Sequence, residues 1–237
     1  MLAISVAAQA LETVLTQSGR LAVKRISPFD RPLFVFEADL IGSDAAAARD
    51  HDAFASCFWP AATSLASLLL DTDLTGVSVC DVGCGTGLCS LAAAASGANV
   101  VALDVEPTAL ALTSAAADAQ GLGERVETRE FDVLSDAPLP CTPDLLIASD
   151  CFVTPPLARA LAARARAAHN AGATVLLIDP RRPTRDDFDQ AWGAVDGHPC
   201  WRPLDDVGAE LAACAAGATP RALLVDTEVG APVDFCI

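Results

Sequence analysis

The stretch VSVCDVGCGTGLCSLAAAA, Val77–Ala95, sets a β-branched run before three glycines and follows them with apolar residues at helical spacing. Val77 to Cys80 reads as a strand and Gly83, Gly85 and Gly87 as a tight turn. Leu88, Leu91, Ala92 and Ala95 then form one face of a helix closed by Gly97. Strand, turn and helix in that order put the turn at the carboxyl edge of a sheet, where open α/β folds bind their ligands.

The same plan repeats downstream. ANVVALD is a buried strand, Pro107 suits the first turn of a helix, TALALTSAAADAQ continues it, and Gly121 ends it. RVETREFDV alternates like a half-buried strand, while PDLLIASD and ATVLLIDP are continuous apolar runs of the kind covered on both faces. Between those two lies a proline-started helix, PLARALAARARAAHN. Strands alternating with helices predict an α/β, Rossmann-like, doubly wound sheet, mostly parallel, with helices on both faces.

Upstream, GRLAVKRIS and PLFVFEADL read as two pairing strands, and the opening MLAISVAAQALETVLTQSGR as an ordinary helix. DAAAARDHDAFASCFWPAATSLASLLLD reads as helix, break and helix, the second starting at Trp59–Pro60 and burying Leu65, Leu68 and Leu69. Residues 1–58 are therefore expected to be an extension (β hairpin and helix) packed on a main domain spanning 59–237. Beyond Gly197 only RALLVDTEV is assigned, as a strand.

Fifteen basic residues against 31 acidic ones give a formal net charge of −16. Such a field repels phosphate backbones and anionic lipid, so neither nucleic acid nor membrane is an expected partner. No uninterrupted apolar run approaches the roughly 18 residues of a spanning helix. The nine cysteines are an odd number in a chain with no basic leader region. A reducing, cytoplasmic setting is the expectation, or a mitochondrial one in a eukaryote. Cys80, Cys84 and Cys89 fall on a strand, a loop and a helix, at spacings unlike the C-x₂-C pairs of zinc sites. They read as small apolar residues, and no metal is expected.

The glycine spacing excludes one ligand and admits another. A dinucleotide fingerprint needs G-x-G-x-x-G, but the third glycine arrives one place early, at Gly87, and Asp81 precedes the turn by two residues. A carboxylate there repels a pyrophosphate and attracts a cationic amino-acid moiety. S-adenosylmethionine carries an ammonium and a sulfonium and no phosphate. Asp104, 21 residues past Gly83, ends the next strand where an acid accepts ribose hydroxyls, and Asp132 follows the third strand where an adenine amino group is met. Plain turn or cap roles remain the alternative for each of these residues.

With those residues in place, DVGCGTG, VVALD and FDV resemble successive motifs of the class I S-adenosylmethionine-dependent methyltransferases, over roughly Trp59 to Trp192. The resemblance implies a seven-stranded sheet with one antiparallel strand. CFWPAATSLASLLL is similar to the tryptophan-containing helix of the family 16 lysine methyltransferases, which implies that Trp59 lies against the cofactor. LIASDCFVTPPLARAL resembles that family's D-x-x-(Y/F) segment and VLLIDPRRPTRDDF its D-P-G-R segment, most closely in the branch acting on the electron-transfer flavoprotein β subunit. Val153 stands at the aromatic position, with Phe152 one place earlier, and Arg181 replaces the glycine.

The site implied has Asp150 as the catalytic carboxylate and Phe152, Asp179 and Arg181 as substrate contacts. Trp59, Asp81, Gly83, Gly85, Gly87, Asp104 and Asp132 hold S-adenosyl-L-methionine, and S-adenosyl-L-homocysteine is the product. With no tyrosine in the chain, an aromatic substrate cage has to use Phe152, Phe188 or a tryptophan. The first reading of the acceptor is a lysine ε-amine of a protein, with the enzyme a monomer. A small-molecule amine, thiol or oxygen nucleophile is the alternative, and a non-catalytic scaffold of the same fold the third.

Overall fold

A computed structural model describes residues 12–39, 43–45, 53–193, 201–217 and 222–226. Its strands are β1 (Glu12–Thr16), β2 (Gly19–Ile26), β3 (Val35–Asp39), β4 (Ser78–Val82), β5 (Asn99–Asp104), β6 (Val126–Glu130), β7 (Leu145–Ser149), β8 (Thr174–Asp179), β9 (Trp201–Pro203) and β10 (Ala222–Asp226). The helices are α1 (Pro60–Leu70), α2 (Leu88–Ala95), α3 (Pro107–Ala119), α4 (Pro155–Asn170), α5 (Arg185–Trp192) and α6 (Gly208–Ala215). Prolines open α1, α3 and α4, where the missing N–H costs no helical bond.

Seven strands form one sheet in the order β6-β5-β4-β7-β8-β10-β9. Chain direction along the sheet reverses between β4 and β7, and such a switch point opens a crevice at the carboxyl edge. The continuous apolar runs are explained by two cores. Val79, Val100, Ile147 and Leu176 pack under Leu65, Leu69, Leu91 and Leu112 on one face. Cys80, Leu103, Leu146 and Leu177 pack under Leu161, Ala162 and Phe188 on the other.

Among the described residues every pairing in this sheet is parallel, so the expected antiparallel strand is not found there. β10 pairs parallel with both β8 and β9, Leu224 lying opposite Leu177 and Trp201. The reason lies in the connection: α6 stands between β9 and β10, and a helical crossover delivers a parallel strand where a hairpin would deliver an antiparallel one. Among the described residues antiparallel pairing is confined to the sheet β1-β2-β3.

That small sheet corrects the reading of Glu12–Thr16 as helical: the segment is a strand paired with β2 in the register Val14 to Leu21. Val14, Leu21 and Val35 belong to the same core as Leu112 and Ala116 of α3. At the end of α3 the Gln120 amide pairs with the Phe34 backbone, accepting its N–H at 3.0 Å and donating to its carbonyl at 2.9 Å. The helices read over residues 1–11 and 46–52 lie outside the described residues. Among the described residues no helix is long and apolar enough to cross a membrane.

Candidate active site

At the carboxyl edge, five neighbouring strands each carry an aspartate within two residues of their last: Asp132 after β6, Asp104 on β5, Asp81 on β4, Asp150 after β7 and Asp179 on β8. Neighbouring strands lie about 4.8 Å apart, so the row runs across the crevice from one side to the other. A cavity of about 410 Å³ opens over it. Trp59, Asp81, Gly83, Gly85, Asp104, Asp132 and Asp150 all line it.

The glycine turn is knitted to β5. The Gly83 and Cys84 amides both donate to the Leu103 carbonyl, at 2.8 and 2.9 Å. The Gly85 amide donates to Oδ2 of Asp104 at 2.9 Å, and the Glu106 amide to Oδ1 at 3.0 Å. These two backbone amides fix the orientation of the Asp104 carboxylate.

Gly87 lies outside the residues that line the cavity. At φ +82° it starts α2, and a Cβ there would stand 2.5 Å from Oγ1 of Thr113. Thr113 is fully buried and donates that hydroxyl to the Gly85 carbonyl at 3.1 Å, so it cannot step aside. Gly87→Ala is therefore expected to lower stability by roughly 2–4 kcal/mol, combining left-handed strain with overpacking. Thermal denaturation of the variant measures this, and an unchanged Tm refutes it.

Asp81 is 2% exposed and accepts the Ser90 hydroxyl at 2.6 Å. Burial pushes its carboxyl up to about 7; the Ser90 bond opposes this and the charge of Asp104 adds to it. Burial likewise holds the thiols of Cys84, Cys89 and Cys151 above their ordinary value, so they present sulfhydryl rather than thiolate to the cavity. Cys151 packs so closely on Gly83 that a Cβ at that glycine would come within 2.7 Å of its sulfur.

Asp150 is 7% exposed with a backbone φ of +60°, a left-handed conformation that aspartate tolerates better than most residues. Its Oδ1 accepts Arg182 at 2.7 Å, Oδ2 is fully buried, and the Ala61 backbone N–H lies near enough to favour the ionised carboxylate. Burial raises its carboxyl above the ordinary range, opposed chiefly by Arg182.

Three predicted substrate contacts fall elsewhere. Phe152 is 2% exposed in the second core, stacked on Phe188 at 4.7 Å. The turn at Asp150 instead brings Val153, 51% exposed, to the cavity at the aromatic position of the motif. Phe188 is fully buried and Trp192 and Trp201 pack against that core, leaving Trp59 as the lining member of the expected cage. Asp179 is buried below the cavity and holds Arg182 and Arg185. Arg181 lies outside the lining at φ +59°, keeping the left-handed backbone of the glycine it replaces.

Phe54 was not foreseen. Its ring stacks on Trp59 with centroids 6.1 Å apart, and its carbonyl accepts the Trp59 indole N–H at 2.8 Å. Of the large apolar residues left exposed, Phe54, Val105, Leu134 and Val153 all rim the cavity. Exposed apolar side chains gathered at one mouth are a binding signature, but one that only the fold assembles.

The lining tests the ligand directly. It contains four aspartates and, among the described residues, no lysine, arginine or histidine. A pyrophosphate would be repelled, whereas a cationic, phosphate-free molecule with an apolar body fits. Asp81 suits an ammonium, Asp104 a diol, and the apolar rim beside Asp132 a planar base. No group of three or more His, Cys, Asp or Glu among the described residues is arranged to hold a metal ion.

Residues 79–172 match a family model described as a methyltransferase domain. Over 102 residues the chain is 34% identical to the electron transfer flavoprotein beta subunit lysine methyltransferase of Danio rerio, covering 42% of this chain and 34% of that one. Over 65 residues it is 45% identical to the ribosomal protein L11 methyltransferase of Methylococcus capsulatus, covering 27% and 22%. The chain thus spans between about a fifth and a third of the length of these curated relatives. Among solved structures, it is similar to the Trypanosoma brucei PRMT1 enzyme-prozyme complex with AdoHcy, at 24% identity and a TM-score of 0.38, over 44% of this chain and 34% of that one.

Proposed function

Given that this chain belongs to the class I S-adenosylmethionine-dependent methyltransferases, we propose that it methylates a lysine ε-amine of a protein substrate. The observation that carries the proposal is the carboxylate of Asp150, held by Arg182 in the wall of the cavity. A carboxylate so placed can orient an approaching amine through its N–H groups. The stacked pair Phe54 and Trp59 offers apolar faces to the aliphatic stem of a long side chain. The names of the two curated relatives, one a lysine methyltransferase and both acting on proteins, support the same acceptor class.

When bound, S-adenosylmethionine supplies an electrophilic methyl group on a sulfonium. The work left to the chain is to position, desolvate and deprotonate the acceptor. Asp81, Asp104 and Asp132 bind through carboxylates whose orientation the turn has already set. Asp150 orients the amine through its carboxylate, leaving the nitrogen lone pair free for in-line attack. A lysine near pKa 10.4 arrives protonated, so its proton must leave first; the sulfonium's positive charge and burial both favour that loss. The apolar rim excludes water as the acceptor enters.

Incubating the protein and methyl-labelled cofactor with cell extract tests the reading. Label in the protein fraction, released on hydrolysis as methyl-lysine, is the expected result. Label confined to small molecules overturns the lysine assignment and favours the alternative acceptor, consistent with Val153 at the position that an aromatic residue holds in the resembling family.

A further inference from the structure

Behind the cavity wall lies a row of four alternating charges, Asp150, Arg182, Asp179 and Arg185. Arg182 donates Nη2 to Oδ1 of Asp150 at 2.7 Å, and its backbone N–H to Oδ2 of Asp179 at 2.9 Å. Its Nη1 lies 3.4 Å from Oδ1 of Asp179. Arg185 donates Nε to the same Oδ2 at 3.1 Å and Nη2 to the Asp179 carbonyl at 2.7 Å. The Arg182 guanidinium also lies 5.6 Å from the centroid of the Trp59 ring. Asp179 is 1% exposed and Asp150 7%.

The backbone on both sides is held in an unusual form. Asp150 and Arg181 are the non-glycine residues with positive φ among the described residues, and they stand at the ends of the neighbouring strands β7 and β8. Each left-handed residue costs about 1–2 kcal/mol and persists only where its surroundings demand it. Here the demand is identifiable: the turn at Arg181 presents the Arg182 amide to Asp179, and the turn at Asp150 presents its carboxylate to Arg182.

We propose that Arg182 is the positioning residue of the acceptor end of the site, holding the carboxylate of Asp150 in the cavity wall through Oδ1. It does not line the cavity, and it acts through Asp150. A carboxylate bonded at one oxygen by a fixed guanidinium cannot rotate freely, so its orientation is set before any acceptor arrives. The pairing also adjusts charge. A lone buried carboxylate would hold an ammonium as a counterion and resist its deprotonation; one already paired is a hydrogen-bond acceptor with little net field. The inference rests on the methyltransferase reading above.

Sinefungin, a cofactor analogue with a primary amine where the sulfonium methyl is attached, serves as the probe, and S-adenosylhomocysteine as its amine-free control. Both meet Asp81 equally, so its titration cancels in the ratio of their affinities. What remains reports the groups facing Asp150: Arg182 and Asp179, with Arg185 behind them. The adjoining thiols of Cys89 and Cys151 stay protonated.

Calorimetry on the full chain is expected to show about a tenfold preference for sinefungin that appears as Asp150 ionises. Arg182 holds the carboxyl down, so in Arg182→Met the preference should appear at a higher pH, with homocysteine-analogue binding unchanged. Arg182→Lys keeps the charge but loses the fork, so its midpoint should stay while the preference falls several-fold. A preference and midpoint unmoved in both variants overturn the role of Arg182 alone. Failure of the unmodified chain to bind S-adenosylhomocysteine overturns the methyltransferase reading beneath it.

Discussion

Asp150→Asn is expected to bind S-adenosylmethionine within about twofold of the unmodified protein and to lose at least about a hundredfold in turnover. The substitution keeps shape, so the left-handed turn survives, asparagine being as tolerant of it as aspartate. Arg182 can only donate, and it therefore fixes the asparagine oxygen where Oδ1 stood. The NH₂ group must then occupy the Oδ2 position, and the negative charge of the carboxylate is lost. A neutral amide holds an approaching amine less strongly and cannot take part in its deprotonation. Single-turnover rates and calorimetry separate the two quantities, and turnover equal to that of the unmodified protein would remove Asp150 from the chemistry.

Cofactor affinity should depend steeply on pH through Asp81. With its carboxyl raised to about 7 in the empty site, a growing fraction is neutral below that pH. An ammonium prefers the ionised form, so binding must first strip the proton. Each unit of pH below 7 should therefore weaken S-adenosylmethionine binding about tenfold, and above pH 8 the affinity should level off. Near pH 6 binding should release close to one proton, visible as a dependence of the calorimetric heat on the ionisation enthalpy of the buffer. Asp81→Asn should bind weakly at every pH, without the slope. An affinity that stays flat from pH 5.5 to 8 would show that Asp81 does not meet a cation.

These two carboxylates were legible in the sequence because each ends a strand whose apolar run is unmistakable, and parity along a strand is local. Phe152 was misread for the complementary reason. Its facing is set by the backbone turn at Asp150, and a left-handed aspartate leaves no mark in the sequence as a glycine would. Arg182 and Phe54 acquire meaning only from partners brought to them by the fold: Asp150 lies 32 residues away from the former, and Trp59 joins the latter to the mouth of the cavity. The strand at Glu12–Thr16 buries only Val14, too little for periodicity to separate it from a helix. The parallel direction of β10 depended on a short helix, α6, in a weakly patterned segment.

The place of β10 also governs the order in which the protein can be completed. β9 is made earlier but, among the described residues, has β10 as its only partner in the sheet, and β10 is also what covers the outer edge of β8. Until Ala222–Asp226 leaves the ribosome, the apolar edge of β8 stands open and β9 has nothing to join. A nascent chain stalled just short of that segment therefore presents an unpaired strand edge to its neighbours, making the last few residues of the sheet the ones that guard the newborn protein against aggregation.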